Sequence, residues 1–193
     1  FVLATGLPSI VKTGSLQETR RRMFGKKYKF RIFGKEVVLD GKYFGRATEL
    51  YARGVYFSLP GFRLKPDMVV FDFGANMGVF TVFAALSSRK VVAVEAVREF
   101  TGDIMKNLKD NNCSEKASVI WGIVGEKSGM FSNPQIREKW FGGNPPPAFS
   151  VEEIKKKEGV DKVDFMKIDI EGSEYDLFKK KEDWFSRVRY IVM

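Results

Sequence analysis

The chain has 193 residues, of which 44% are hydrophobic and 14% are aromatic, and its formal net charge is +9. This size and composition predict one α/β domain with a hydrophobic core and exclude a second large domain. The longest nearly apolar run, residues 79–86, is far shorter than the ~18 residues of a transmembrane helix, so we expect no membrane span.

The positive charge is concentrated in the first third of the chain. Residues 1–65 carry fourteen Lys or Arg and four Asp or Glu, a net charge of +10, whereas residues 66–193 have a net charge of −1. We therefore expect a basic amino-terminal β-hairpin/helix extension, residues 1–65, packed on a domain formed by residues 66–193. The alternation of residues 27–41 predicts the hairpin, with its turn at residues 33–35. Its cations and aromatic rings could contact RNA, an anionic sugar, a lipid headgroup or only solvent.

Cysteine usage bears on the cellular compartment. Cys113 is the only cysteine of the chain, so no internal disulfide can form. This pattern fits a reducing compartment, and we predict a cytoplasmic location.

From residue 66 onward, predicted strands alternate with predicted helices, as in a doubly wound, mostly parallel, Rossmann-like α/β sheet. Strands are predicted at residues 68–73, 91–95, 117–121, 163–170 and 188–193. Helices are predicted at residues 79–86, 97–111, 151–158 and 173–181. Residues 122–150 contain four prolines, and we expect an irregular loop or short hairpin there that could act as a mobile lid over the substrate.

The first chemical motif is a glycine-containing turn between the first strand of this domain and the helix that follows. An open α/β sheet holds an adenosine-containing cofactor at such a turn. Its spacing, acidic-x-Gly-x-Asn-x-Gly, matches the turn of S-adenosylmethionine-dependent methyltransferases better than the G-x-G-x-x-G turn that binds NAD. Asn replaces the middle glycine because it also tolerates a left-handed backbone. The candidate cofactor-binding residues of this turn are Asp72, Gly74, Ala75, Asn76 and Gly78.

The second strand ends in a carboxylate, Glu95, which is followed by Ala96. A carboxylate at this position can accept hydrogen bonds from both hydroxyls of a ribose. The alternative is that Glu95 caps the helix that begins near Val97, because acidic residues are favoured there. We predict that Glu95 and Ala96 complete the cofactor site.

The second chemical motif lies at the end of the fourth strand, where the sequence MKIDIEGSE places Lys167, Asp169, Glu171 and Glu174 close together. A lysine in so apolar a strand needs a counterion. It could pair with Asp72 or Asp169, or extend its stem to the rim of the sheet. Because the first and fourth strands are expected to be neighbours, we predict that Asp72 and Asp169 open onto the same crevice.

These motifs together resemble the FkbM family of S-adenosylmethionine-dependent methyltransferases. The resemblance covers residues 51–193, and it is carried by VVFDFGANMG, AVEA at residues 93–96, Asn107, Asn111 and VDFMKIDIEGSE. It implies a class I methyltransferase fold and S-adenosyl-L-methionine as the cofactor. It also implies methyl transfer to a hydroxyl of a sugar, a polyketide or another small molecule, and two further strands after Met193.

Methyl transfer to a hydroxyl requires a proton acceptor, and the chain contains no histidine. The candidates are Lys167, Asp169, Glu171, Glu174, a tyrosine, a metal-bound group or a residue beyond the fifth strand. We predict that Asp169 lines the methyl-transfer crevice, that Glu171 is the general base and that Lys167 tunes both. An oxygen-only Mg²⁺ or Ca²⁺ site is the less favoured alternative, and we assign no metal ligand.

Two other functions fit the same sequence. The basic extension could dock RNA, which would make the protein an RNA methyltransferase. The chain could also be a nucleotide-binding or interaction module that does not catalyse a reaction.

Overall fold

The computed structural model describes residues 3–4, 25–57, 62–125, 132–142, 144–179 and 183–193. The amino-terminal part contains a three-stranded antiparallel sheet of β1 (Leu3–Ala4), β2 (Lys27–Ile32) and β3 (Lys35–Asp40). A single turn of 3-10 helix, Gly41–Tyr43, leads into α1 (Phe44–Arg53). The predicted hairpin is therefore confirmed, with its turn at Phe33 and Gly34.

The rest of the described chain alternates strands and helices. In chain order these elements are β4 (Val69–Phe73), α2 (Val79–Ser87), β5 (Lys90–Glu95), α3 (Arg98–Asp110), β6 (Ala117–Trp121), β7 (Ile123–Val124), α4 (Pro134–Phe141), β8 (Ala148–Phe149), α5 (Val151–Glu158), β9 (Val163–Ile168), α6 (Glu174–Lys179) and β10 (Val188–Val192). Five strands form one parallel sheet in the order β10-β9-β4-β5-β6. This order confirms the doubly wound, Rossmann-like fold, and its switch point lies between β4 and β9.

The central strands are buried on both faces, which is why they consist almost entirely of apolar and β-branched residues. Every residue of β4 is buried, and so is every residue of β5 after Lys90. Helices must therefore cover both faces of the sheet. No helix in the described ranges is both long and apolar enough to cross a membrane.

One face of the sheet is covered by α2, α3 and the described part of the extension. The extension residues buried in this shared hydrophobic core are Phe30, Ile32, Val37, Leu39, Tyr43, Ala47, Leu50 and Tyr51. The other face packs against α5, α6 and the 3-10 turn Asp183–Arg187, where Trp184 is fully buried. The extension is thus one wall of the core, because the apolar residues of its strands and of α1 point toward the sheet.

The expectation of an irregular segment at residues 122–150 was wrong for much of its described part. Short strands at both ends, β7 and β8, pair in parallel, and α4 lies between them. The Asn133 side chain accepts hydrogen bonds from the amides of Gln135 and Ile136, and Pro134 occupies the first helical position. Proline is favoured at that position because a backbone N–H there would have no partner within the helix, so the N–H that proline lacks is not missed. Residues 126–131 and 143 lie outside the described part.

A polar contact fastens the hairpin to α3. The Asn111 side chain accepts a hydrogen bond from the Val38 amide at 2.7 Å and donates one to the Val38 carbonyl at 2.8 Å. One amide side chain therefore satisfies both backbone groups of a residue in β3, as another strand would.

We predict that Asn111→Ala lowers the free energy of unfolding by about 1–3 kcal/mol, because it leaves two partly buried backbone groups without partners. Urea denaturation would measure the change. Lys109→Ala removes an exposed side chain from the same helix and should change stability by no more than about 0.5 kcal/mol. Equal effects of the two substitutions would contradict the role of Asn111.

Candidate active site

Two adjoining cavities lie at the carboxyl ends of β4, β5 and β9. The larger cavity has a volume of about 310 Å³ and the smaller cavity about 120 Å³. Both are bounded by the glycine loop, defined as residues 72–78, and by Asp169. Ligands of doubly wound sheets bind in the crevice at this edge, next to the topological switch point.

An open cavity of about 640 Å³ lies at the opposite edge of the sheet. It is bordered by both cations and carboxylates, such as Arg89, Lys116 and Asp161. Its Lys90 is already paired with the Glu158 carboxylate at 3.1 Å. Because it lies at the amino ends of the parallel strands, we place the functional site at the carboxyl edge instead, despite the smaller volumes there.

The glycine loop has the backbone conformation that its sequence predicts. Gly74, Asn76 and Gly78 have φ values of 73°, 52° and 79°, so Asn76 is left-handed as expected. A Cβ atom at Gly74 would lie 1.7 Å from the Asp169 carbonyl oxygen. Only glycine can therefore occupy position 74, and the loop packs directly against the turn that follows β9.

The loop is also tied to β5. The amides of Gly74 and Ala75 both donate to the Val94 carbonyl, at 3.0 and 3.1 Å. One oxygen of the Glu95 carboxylate accepts from the Asn76 amide at 2.6 Å. These bonds fix the loop in the position that bounds both cavities.

Glu95 lies at the start of α3 and borders a cavity at the same time. Its second carboxylate oxygen accepts from the Val97 amide at 2.7 Å, at the start of α3, and Glu95 also lines the larger cavity. Burial raises the pKa of Glu95 to about 7, against the opposing effect of the two amides. Each oxygen still has a lone pair for a ligand hydroxyl. Ala96, the other predicted residue, lines the same cavity.

A buried ion pair lies under the glycine loop. The Lys167 ammonium contacts the Asp72 carboxylate at 2.9 Å, and both side chains are almost fully buried. Lys167 also donates to the Gly74 carbonyl at 2.9 Å, and Thr81 donates to Asp72 at 2.6 Å. The prediction that Asp72 opens onto the crevice was therefore wrong, because Lys167 and Thr81 enclose its carboxylate. Of the two partners considered for Lys167, it pairs with Asp72.

The turn after β9, residues 169–174, presents carboxylates to the cavities and is called the acidic turn below. Asp169 and Glu171 are exposed and line the larger cavity, and Glu171 has a left-handed backbone with φ 56°. Glu174 instead holds the turn, since its oxygens accept from the Ile170 and Gly172 amides, each at 2.7 Å. Asp169 and Glu171 are thus the carboxylates of this turn that border the larger cavity.

Two residues of the extension reach the site, and the sequence motifs gave no indication of either. The Tyr56 hydroxyl donates to Asp169 at 2.5 Å, and Arg46 lines both cavities. Burial, and secondarily the Asp169 carboxylate, raises the pKa of Tyr56 well above its usual range, so Tyr56 remains a hydrogen-bond donor. The separation of Tyr56 and Asp169 along the chain, 113 residues, explains why no local pattern pairs them.

An aromatic wall closes part of the larger cavity. It consists of Phe100 from α3 and of Trp140 and Phe141 from α4. The Phe100 and Trp140 rings lie edge to face, with their centroids 6.1 Å apart. A cavity lined by aromatic rings and a carboxylate suits a ligand with a planar ring and hydroxyl groups.

In the described ranges, no group of three or more His, Cys, Asp or Glu side chains could hold a metal ion. The site therefore offers carboxylates, backbone amides and aromatic rings as its binding groups.

Three comparisons place the chain among known proteins. The model of the FkbM methyltransferase domain matches residues 72–193. An FkbM methyltransferase from Methylobacillus flagellatus KT is similar in structure, with 20% identity, a TM-score of 0.47 and coverage of 69% of this chain and 32% of that one. None of the curated proteins compared with the chain matches it.

Two further solved structures are similar at lower identity. An rRNA methylase from Streptococcus thermophilus has 17% identity and a TM-score of 0.41, covering 65% of this chain and 57% of that one. M. capricolum TrmK in complex with S-adenosyl-homocysteine has 12% identity and a TM-score of 0.41. The match covers 66% of this chain and 46% of that one. The chain thus spans less than two thirds of the length of each. Because the family match extends from the glycine loop through β10, over more than half of the residues, the chain belongs to the FkbM methyltransferase family.

Proposed function

We propose that the protein is an S-adenosylmethionine-dependent methyltransferase that methylates a hydroxyl of a small molecule, such as a sugar or a polyketide. The main support is the convergence of Glu95, the glycine loop and Asp169 on one pair of cavities at the carboxyl edge of the sheet. Membership of the FkbM family supports methyl transfer.

The residues of the larger cavity fit the nucleoside of this cofactor. Glu95 would accept hydrogen bonds from the two ribose hydroxyls, and the aromatic wall beside Ala96 would contact the adenine. Gly74, Ala75, Asn76 and Gly78 would bring their backbone close to the ligand. Asp72 would contribute indirectly, because its ion pair orients the Lys167 ammonium, which donates a hydrogen bond to the Gly74 carbonyl.

Bound S-adenosylmethionine supplies an electrophilic methyl group on a sulfonium. The protein must then orient the acceptor hydroxyl, exclude water and remove the hydroxyl proton. We assign the uptake of that proton to Asp169 and Glu171, which border the larger cavity and are exposed to solvent. Tyr56 holds one Asp169 oxygen through its hydrogen bond, which leaves the other for the acceptor. Lys167, bonded to Asp72 and the loop, would fix the position of the acidic turn through Gly74.

RNA methylation is the second candidate function. It draws support from the net charge of +10 on residues 1–65 and from Arg46, which brings that extension to the rim of both cavities. An RNA bound to the extension would lie beside the site.

The class of acceptor can be identified by incubating the protein with labelled S-adenosylmethionine and a fractionated cell extract. We expect label in the small-molecule or glycan fraction. Label in RNA, with incorporation that falls steeply as salt increases, would favour the RNA methyltransferase. Cofactor binding without labelling of any fraction would favour a non-catalytic module and contradict the proposal.

We predict that binding of S-adenosylhomocysteine strengthens as the pH rises from about 5.5 to 8. The folded pKa of Glu95, about 7, lies above its usual 4.5, so the carboxylate that accepts the ribose hydroxyls is lost as the pH falls through 7. If the ionised form alone binds, affinity below pH 7 falls by up to about tenfold per pH unit. Isothermal titration calorimetry at several pH values in this range would measure the affinity for S-adenosylhomocysteine.

Glu95→Gln should weaken binding at pH 8 by about tenfold or more and should flatten this pH dependence. Glu99→Gln is the matched control, because Glu99 is an exposed residue in the first turn of α3. A pH-independent affinity in the wild-type protein would rule out this role for the Glu95 carboxylate.

For the proton acceptor, we predict that Asp169→Asn or Glu171→Gln lowers kcat by about 10²- to 10⁴-fold, with little change in the affinity for S-adenosylhomocysteine, which lacks the sulfonium charge. Asparagine can still accept the hydrogen bond from Tyr56, so folding should be retained. The assay uses the extract fraction that takes up label. Asp176→Asn, a carboxylate on α6 that borders neither cavity, is the control. If both turn variants keep more than a third of the wild-type kcat, the base lies elsewhere.

A further inference from the structure

The smaller cavity is built from two parts of the chain that are distant in sequence. One wall is the glycine loop with the start of α2, and the opposite wall is α1 with the turn that follows it. Arg46, Glu49 and Leu50 come from α1, and Val55 and Tyr56 come from the turn. The basic extension is therefore part of the ligand site.

Arg46 and Glu49 place a cation and an anion side by side on this wall. Their closest atoms are 3.5 Å apart, and their side chains are 60% and 50% exposed. This distance is at the limit of a hydrogen bond, and an exposed pair of this kind contributes little to stability. Within the described part of the chain, most donors of the guanidinium and one carboxylate oxygen have no other partner and can bind a ligand.

The two cavities adjoin in a way that lets one ligand occupy both. They share Arg46, Gly74, Asn76, Met77 and Asp169 as lining residues. A nucleoside on Glu95 in the larger cavity can therefore extend its 5′ substituent past Gly74 into the smaller one. That substituent would meet Arg46 and Glu49.

We propose that Arg46 and Glu49 bind the α-amino-acid end of the methyl donor. The Arg46 guanidinium donates hydrogen bonds to the α-carboxylate, and the Glu49 carboxylate accepts one from the α-ammonium. This inference rests on the proposed function, since it assumes that an S-adenosyl amino acid is the ligand. It gives the extension a role in binding the methyl donor. The family match begins at the glycine loop, so it does not include Arg46 or Glu49.

The charges of the smaller cavity match those of this ligand. Lys167 is neutralised by Asp72, which leaves Arg46, Glu49 and Asp169 with a net charge of −1. S-adenosylmethionine carries a sulfonium, an ammonium and a carboxylate, so its net charge is +1. The excess negative charge lies with Asp169, at the junction of the two cavities, where the ligand passes from nucleoside to amino acid.

The test compares two ligands that share a nucleoside. S-adenosylhomocysteine carries the amino acid, whereas 5′-methylthioadenosine ends in a methyl group on the same sulfur. Calorimetric titration of the full chain should show that Arg46→Met weakens S-adenosylhomocysteine binding by about 10- to 100-fold, with 5′-methylthioadenosine unchanged within about twofold. Glu49→Gln should weaken S-adenosylhomocysteine selectively, by a smaller factor.

Arg31→Met is the matched control, because it removes the same charge from an exposed position of β2 that borders neither cavity. Binding of both ligands to this variant should equal that of the wild type. Equal weakening of both ligands by Arg46→Met, or no weakening of either, would overturn the subsite. A wild-type protein that binds neither ligand would contradict the proposed function itself, so the two failures are distinguishable.

Discussion

The site depends on a buried ion pair, Asp72–Lys167, at the switch point of the sheet. It joins β4 to β9, and the same ammonium reaches the Gly74 carbonyl at the start of the glycine loop. Two buried charges are tolerated only when each is paired and hydrogen-bonded, and Thr81 provides a further bond to Asp72. Removing one partner would leave an uncompensated buried charge, at a cost of about 3–5 kcal/mol. The ion pair therefore supports the loop from beneath, in addition to the hydrogen bonds that tie the loop to β5.

The loop and the acidic turn are packed so closely that neither can move alone. The Asp169 carbonyl occupies the space that a side chain at position 74 would need, and the Asp169 amide donates to the Phe73 carbonyl at 3.0 Å. Glu174 fixes the other side of the turn through the Ile170 and Gly172 amides. The groups assigned to the donor and those assigned to the acceptor proton thus belong to one closely packed unit, which suits the proposed in-line methyl transfer.

The parts of the site that follow from local sequence were predictable, and those that depend on tertiary packing were not. The left-handed Asn76, the carboxylate at the end of β5 and the need of Lys167 for a counterion all follow from residue type and spacing. The burial of Asp72 did not follow, because it depends on Thr81 from α2 closing over the carboxylate. The hydrogen bond from Tyr56 to Asp169 spans 113 residues, so no pattern of period 2 or 3.6 could reveal it. The helix α4 was missed because four prolines suggested a loop, although Asn133 and Pro134 form a regular helix start.

The extension connects the hydrophobic core to the chemistry of the site. Its strands and α1 cover one face of the sheet, and α1 packs against α2, with Tyr51 contacting Phe83. Tyr56, just after α1, packs edge to face on Phe80 with the ring centroids 5.9 Å apart and lies beside the Lys167 ammonium. Because the raised pKa of Tyr56 keeps it a donor, its hydrogen bond holds one carboxylate oxygen of Asp169 in position. The packing that completes the core therefore also positions Tyr56 to donate its hydrogen bond to Asp169 in the acidic turn. It positions the Arg46 cation at the edge of both cavities as well.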